Sequence, residues 1–122
     1  MKRNIGVESL DEMRKRKLAR ARLIDKGVAI EPETRIMFER AEDMLECLTP
    51  GRVHLLAAAR KKEMSITELA HNLARPRTAV QRDVKILNRY GFVKTRKSAN
   101  PGHGQVQMVR ASANRFAVQA YV

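Results

Sequence analysis

The sequence has no tryptophan and only two tyrosines and three phenylalanines, so any core it builds is aliphatic. Its one cysteine, Cys47, cannot close an internal disulfide, and nothing argues for an oxidising compartment. A small buried hydrophobe is the expected role for Cys47, in preference to a reactive thiol. No run approaches the ~18 apolar residues of a membrane span. The start, Met1-Lys2-Arg3-Asn4-Ile5, lacks the apolar stretch of a secretory signal. A soluble, cytoplasmic, nucleoid-associated protein is expected, with no membrane partner. The three histidines, His54, His71 and His103, are far apart and none has a Cys or Asp at ligand spacing, so no metal is expected. No Ser or Cys nucleophile has a recognisable base, no carboxylates are paired, and no Gly-Lys-Ser/Thr follows Gly102 and Gly104. No cofactor and no catalytic activity are expected.

Acid is the remaining scarcity. The chain carries 25 Lys+Arg against 13 Asp+Glu, a net charge of +12 over 122 residues. At roughly 100–200 residues per domain, it offers one modest core. Residues 1–26 hold nine basic and four acidic side chains, and residues 27–64 hold six and seven. Residues 65–122 hold ten and two, and the two acids are Glu68 and Asp83. Two basic ends around a near-neutral middle point to a polyanion. An anionic membrane surface fits less well, because no long amphipathic helix pairs bulky apolar residues with this charge.

Ser9 with Glu12 fits a capping box and Gly27 a helix stop, which predicts a helix over about 10–26. Its apolar face, Leu10, Met13, Ala21 and Ile24, is narrow and interrupted by Lys17, so it docks weakly or onto another chain. Residues 28–38 read as an extended linker around Glu31-Pro32-Glu33, with a short strand at 35–38. A helix over 39–47 follows. Thr49-Pro50 then starts another that runs to about Lys61, with Val53, Leu56 and Ala57 as its buried stripe. Met64-Ser65-Ile66 fits a brief strand. Thr67 is expected to cap a helix through Leu73 with Leu69, Ala70 and Leu73 inward, and Pro76 to open one that Gly91 stops. Residues 92–98 and 105–110 form a hairpin around Asn100-Pro101-Gly102-His103-Gly104. The tail, 115–122, alternates Phe116, Val118, Ala120 and Val122 as a last strand.

Helix–strand–helix–turn–helix–strand–strand is the order of a winged helix-turn-helix. The expected class is mainly α with small β (α+β), a winged helix-turn-helix with an N-terminal basic helix. Residues 1–38 would form the helix and linker, and 39–122 the DNA-binding domain with its C-terminal strand. At 100° per residue, Arg77, Thr78, Gln81, Arg82, Lys85, Asn88 and Arg89 share an arc of about 140° that holds no acid. Val80, Val84 and Leu87 lie opposite, flanked by Ala79, Ile86 and Tyr90. An ordinary solvated face mixes Glu with Lys; Arg, Lys and Gln are the types that read base edges and hold phosphates. Asp83 falls inside the apolar arc, so its burial requires a partner, for which Arg52 is the candidate. Lys94, Arg96, Lys97 and His103 make the hairpin a basic wing, and Arg110 leaves it.

The runs Leu48-Thr49-Pro50-Gly51-Arg52, Met64-Ser65-Ile66-Thr67-Glu68-Leu69-Ala70, Arg75, Val80-Gln81-Arg82-Asp83-Val84-Lys85-Ile86-Leu87 and Tyr90-Gly91-Phe92-Val93 resemble the small MarR/ArsR-like winged-helix predicted transcriptional regulators of bacteria and archaea. Upstream, Ala19-Arg20-Ala21-Arg22, Asp25-Lys26-Gly27 and Ile30-Glu31-Pro32 extend the resemblance to roughly residues 15–110. It implies double-stranded DNA as partner, with Arg75 joining the α-helical and wing residues as a contact. Some members of this group look like antitoxins, so a small toxin protein is the alternative partner. Two departures stand out. Ala74 occupies the turn position where the group usually has Gly, at an expected cost of about 1–2 kcal/mol in a left-handed conformation, which would alter the turn. The tip at Pro101-Gly102-His103-Gly104 is longer than the group's usual wing.

The leading function is a sequence-specific, dimeric DNA-binding repressor or autoregulator. An antitoxin or adaptor that docks a protein through 10–26 and 115–122 is the second reading. An RNA- or ribosome-associated protein is the third, weakened by the lack of aromatic stacking residues on any strand. The expected dimer interface gathers apolar residues outside the motif: Leu10, Met13 and Ile24, then Ile36 and Phe38, then Phe116, Val118 and Val122, with the tail pairing across a two-fold axis.

Overall fold

The computed structural model describes residues 2–30, 35–100, 102 and 104–119. The chain divides into two compact units, one of residues 46–115 and one of residues 2–45 with 116–119. This division differs from the expected boundary at 38/39: the tail strand belongs with the N-terminal elements and not with the winged helix-turn-helix.

The unit 46–115 contains α3 (Pro50–Lys61), β3 (Met64–Ser65), α4 (Ile66–Leu73), α5 (Arg77–Arg89), β4 (Val93–Asn100) and β5 (Gly104–Ala111), the order expected from sequence. Thr49 accepts the Arg52 amide at 3.3 Å and places Pro50 in the first turn of α3, where a missing N–H costs nothing. The cap of α4 is Ser65, whose hydroxyl accepts the Glu68 amide at 3.1 Å, and not Thr67. Ser65 thereby ends β3 and starts α4 within one residue.

α4 ends at Ala74, which holds φ 51° and ψ 46°. The turn keeps its left-handed form with alanine in it; it is not altered as the departure from glycine suggested. Ala74 N–H donates to the His71 carbonyl at 3.2 Å and Arg75 N–H to the Ala70 carbonyl at 3.0 Å, which closes the helix end. Pro76 then serves as N-cap of α5, one residue before the helix, its carbonyl accepting from Ala79 and Val80.

Leu55 and Leu56 of α3, Leu69 of α4, Val80, Val84 and Leu87 of α5, and Phe92, Val93 and Val109 of the hairpin form the core. The buried stripe of α3 is Leu55, Leu56 and Ala59; Val53 is 46% exposed and Ala57 lies outside. Two registers of α3 satisfy the i, i+3, i+4 rule, and the one with two leucines buries more apolar surface. β5 lies between β3 and β4 in an antiparallel sheet.

In the other unit, β1 (Lys2–Val7), α1 (Leu10–Asp25) and β2 (Arg35–Phe38) form a strand–helix–strand crossover, with β1 and β2 parallel and Ile5 opposite Ile36. α2 (Ala41–Cys47) follows, and β6 (Arg115–Gln119) completes a sheet of order β2-β1-β6. The expected extended segment at 31–34 lies outside the described residues. β1 had no sequence signal beyond Ile5 and Val7 around a glycine. Gly6 is required there because a Cβ would stand 2.9 Å from the Gln119 carbonyl oxygen.

One expectation for a dimer interface changes. Phe38 is 5% exposed and belongs to the core of its own unit. β6 joins the sheet of its own chain beside β1, as an edge strand. Val122 lies outside the described residues. α1 starts at Ser9 as expected, its hydroxyl accepting the Glu12 amide, and Arg16 pairs with Glu8 at 2.8 Å. The helix has no buried residue: Leu10 and Ile24 are exposed, as are Leu18 and Leu23. No described helix is long and apolar enough to cross a membrane.

Candidate nucleic-acid interface

The amphipathic division of α5 appears in its burial. Val80, Asp83, Val84 and Leu87 are buried, Ala79 and Ile86 are half-buried, and Arg77, Thr78, Gln81, Arg82, Lys85, Asn88 and Arg89 are exposed. Tyr90, expected on the apolar side, is 41% exposed. Among the described residues, Arg77, Gln81, Lys85 and Arg89 make no side-chain hydrogen bond or ion pair. One face of the helix therefore offers guanidinium, ammonium and amide donors to solvent, without an acid among them.

The single acid of α5 is taken inward. Asp83 is 3% exposed. Its Oδ1 accepts Arg52 Nε at 3.2 Å and its Oδ2 accepts Arg75 Nη2 at 2.7 Å. Arg82 Nε stands 3.9 Å away, on a side chain 70% exposed. Arg52 also donates Nη1 to the Glu46 and Cys47 carbonyls at 2.9 and 3.2 Å. One carboxylate thus joins α3, the turn and α5, and leaves the exposed face of α5 without a negative charge. The expected partner Arg52 is in place, and Arg75 is a second that the residue pattern of the helix did not indicate. Arg75, expected among the DNA contacts, pairs with Asp83 through Nη2. Its guanidinium also lies over Gly51, where a Cβ would meet Nη1 at 3.4 Å.

The wing is less uniform than its composition. Alternation along β4 puts Lys94 and Arg96 on one face and Lys97 on the other, beside Thr95. Lys94 stands directly opposite Arg110, a like-charge cross-strand pair that costs stability unless an anion lies over it. Arg96 is already engaged: its Nε donates to both Glu63 carboxylate oxygens at 3.2 and 3.1 Å. That hydrogen bond, aided by the charges of Arg96 and Arg110, holds the Glu63 carboxyl below its ordinary value; the same bond and the Glu63 charge raise Arg96 above its own. His103 lies outside the described residues.

Cys47 is buried, and burial pushes its thiol up against the opposing pull of Arg52. His54 and His71 are exposed. Among the described residues, no three His, Cys, Asp or Glu side chains gather into a metal site.

Solved structures share this fold. A possible transcriptional regulator from Methanosarcina mazei Go1 superimposes with a TM-score of 0.51 at 21% identity, over 62% of this chain and 68% of that one. NolR from Sinorhizobium fredii gives 0.51 at 23% identity, over 61% and 70%. Rv0081 from M. tuberculosis gives 0.50 at 20% identity, over 60% and 69%. At these identities the likeness concerns the winged-helix fold. No curated protein matches the sequence. The model of one family, HVO_A0114, matches residues 47–108, from the end of α2 through most of the wing and so over half of the chain; the chain belongs to the HVO_A0114 family.

Proposed function

We propose that this chain is a double-stranded DNA-binding transcriptional regulator, a repressor or autoregulator, that reads the major groove with α5 and follows the phosphate backbone with its wing. The observation that carries the reading is the exposed face of α5, whose one acid is buried and neutralised by Arg52 and Arg75. A fold alone does not assign a function; this surface is what supports it. Arg77, Gln81 and Lys85 are the base-reading candidates, with Thr78, Arg82 and Arg89 on flanking phosphates. Lys94, Lys97 and Arg110 serve the wing. The protein performs no chemistry of its own.

A single α5 covers half an operator, and half-sites recur at about 34–36 Å on one face of the duplex. Homodimerisation through α1 fits that need. Leu10 is 49% and Ile24 56% exposed, and the helix has no buried residue in its own chain. No observation favours a toxin partner.

The test is fluorescence anisotropy with the duplex upstream of the protein's own gene, a scrambled duplex and an RNA hairpin. The reading expects the native duplex to bind at least about 10³-fold more tightly than the scrambled one at physiological salt. Equal affinity for all three would overturn it.

A further inference from the structure

α1 has no buried residue, and its middle is strongly cationic. Residues 13–24 hold six Lys and Arg and no acid; Asp11 and Glu12 stand in the first turn and Asp25 at the end. Met13, Arg16 and Arg20 are half-buried and mark the inner side of the helix. Arg14, Lys15, Lys17, Arg22 and Lys26 are exposed and, among the described residues, make no side-chain hydrogen bond or ion pair. Arg14 and Lys17 stand at i, i+3 and Arg22 and Lys26 at i, i+4, spacings at which like charges repel. At 100° per residue, Lys15, Arg22 and Lys26 fall within about 40° of one another, on the side opposite Leu10, Met13 and Ile24. Eleven residues separate the ends of this row, about 16 Å along the helix.

We infer that the row Lys15, Arg22 and Lys26 is a second DNA contact, outside the winged helix-turn-helix, that lies along the phosphate backbone without reading sequence. The inference rests on the DNA reading above and deepens it. Charge complementarity selects the occupant: a duplex carries one negative charge per about 1.7 Å of its axis, so a row of this length meets several phosphates. α1 contains no Asn or Gln, the side chains that pair with adenine edges, so its face suits the backbone and not the bases. A lipid surface fits less well. Lys17 and Arg20 fall among Leu10, Met13 and Ile24, which leaves no broad apolar face to enter it. The opposite placement of the two stripes lets α1 hold a second copy of the chain through Leu10 and Ile24 while the row stays open to DNA.

The test is a salt titration of the full chain by fluorescence anisotropy, on the native and the scrambled duplex. Lys15→Ala/Arg22→Ala/Lys26→Ala should lower the slope of log affinity against log salt by about 2–3 on both duplexes and leave their affinity ratio unchanged. Alanine keeps the helix, and an unchanged urea midpoint and sedimentation coefficient check the fold and the oligomer. Lys17→Ala/Lys61→Ala/Lys62→Ala removes the same charge at other exposed positions and should change the slope by less than about one. Lys15→Arg/Arg22→Lys/Lys26→Arg keeps the charge and should keep the slope. An unchanged slope in the first variant, an equal fall in the second, or a fall that accompanies a changed sedimentation coefficient would overturn the contact. Wild-type binding to phosphatidylserine vesicles that the first variant loses, with its DNA slope intact, would assign the row to lipid and overturn it too. Failure of base reading by α5 shows separately, as equal wild-type affinity for the two duplexes; a slope that still falls in the first variant would then leave the α1 contact standing.

Discussion

Asp83 Oδ2 lies 2.7 Å from Arg75 Nη2, and this contact organises the helix-turn-helix. It joins the middle of α5 to the turn before it, while Oδ1 reaches Arg52 at the start of α3. Burying a carboxylate is costly unless it is paired and hydrogen-bonded. Here two guanidiniums meet it, both from side chains less than a third exposed.

Replacing Asp83 with Asn therefore leaves two part-buried arginines unmatched. Asp83→Asn is expected to destabilise the fold by about 3 kcal/mol. Urea unfolding checks this; a loss under 1 kcal/mol, about that of an exposed pair, would show the cluster to be peripheral.

Ala74 holds a left-handed conformation at φ 51°, which disfavours any residue with a Cβ. Ala74→Gly should stabilise the protein by about 1 kcal/mol, the relief of strain being partly offset by glycine's freedom in the unfolded chain. A shift of the urea midpoint to lower concentration at unchanged slope would contradict it.

The wing residues should separate by their engagement. Lys94→Ala and Lys97→Ala each lower the slope of log affinity against log salt by roughly one, with sequence preference intact. Arg96→Ala lowers it less, because Glu63 already holds that charge. Glu63→Gln frees Arg96 and should steepen the slope. Equal effects at all three basic positions would show that the Glu63 pair opens at no cost.

Glu63 also sets a pH dependence. Its carboxyl is depressed from an ordinary 4.5 by the Arg96 hydrogen bond. A depressed carboxylate contributes stability that is fully present above 4.5 and is lost as pH falls through the lower, folded-state value. Glu63→Gln should thus lower stability slightly at neutral pH, flatten the acid limb, and bring the two proteins together at low pH. Identical acid limbs in the two proteins would contradict the pairing.

How much of this was legible beforehand follows from where the information sits. Thr49-Pro50 and the acid-free arc of α5 are local signals, set by capping geometry and helical period, and they place α3 and α5 within a residue. The burial of Asp83 was visible as an acid in an apolar arc, and Arg52 as its partner. The pairing of Arg75 with Asp83 was not legible, because it depends on the turn that brings Arg75 over Gly51, a tertiary relationship that no spacing encodes. β1 and the membership of β6 were not legible either. A strand with Gly6 at its centre owes its place to the backbone beside it, and alternation along 115–119 shows a strand without naming its neighbour. The stripe of α3 was rotated because its leucines and alanines satisfy two registers.

The most direct test of the central claim is the effect of Arg77→Ala and Gln81→Ala on operator binding, read against a set of duplexes mutated one base pair at a time. Both side chains are exposed and away from the core, so folding is unaffected. Each substitution should cost about 1–3 kcal/mol of affinity and relax the preference at one base position. Variants that keep wild-type affinity and wild-type preference at every position would show that α5 does not read DNA.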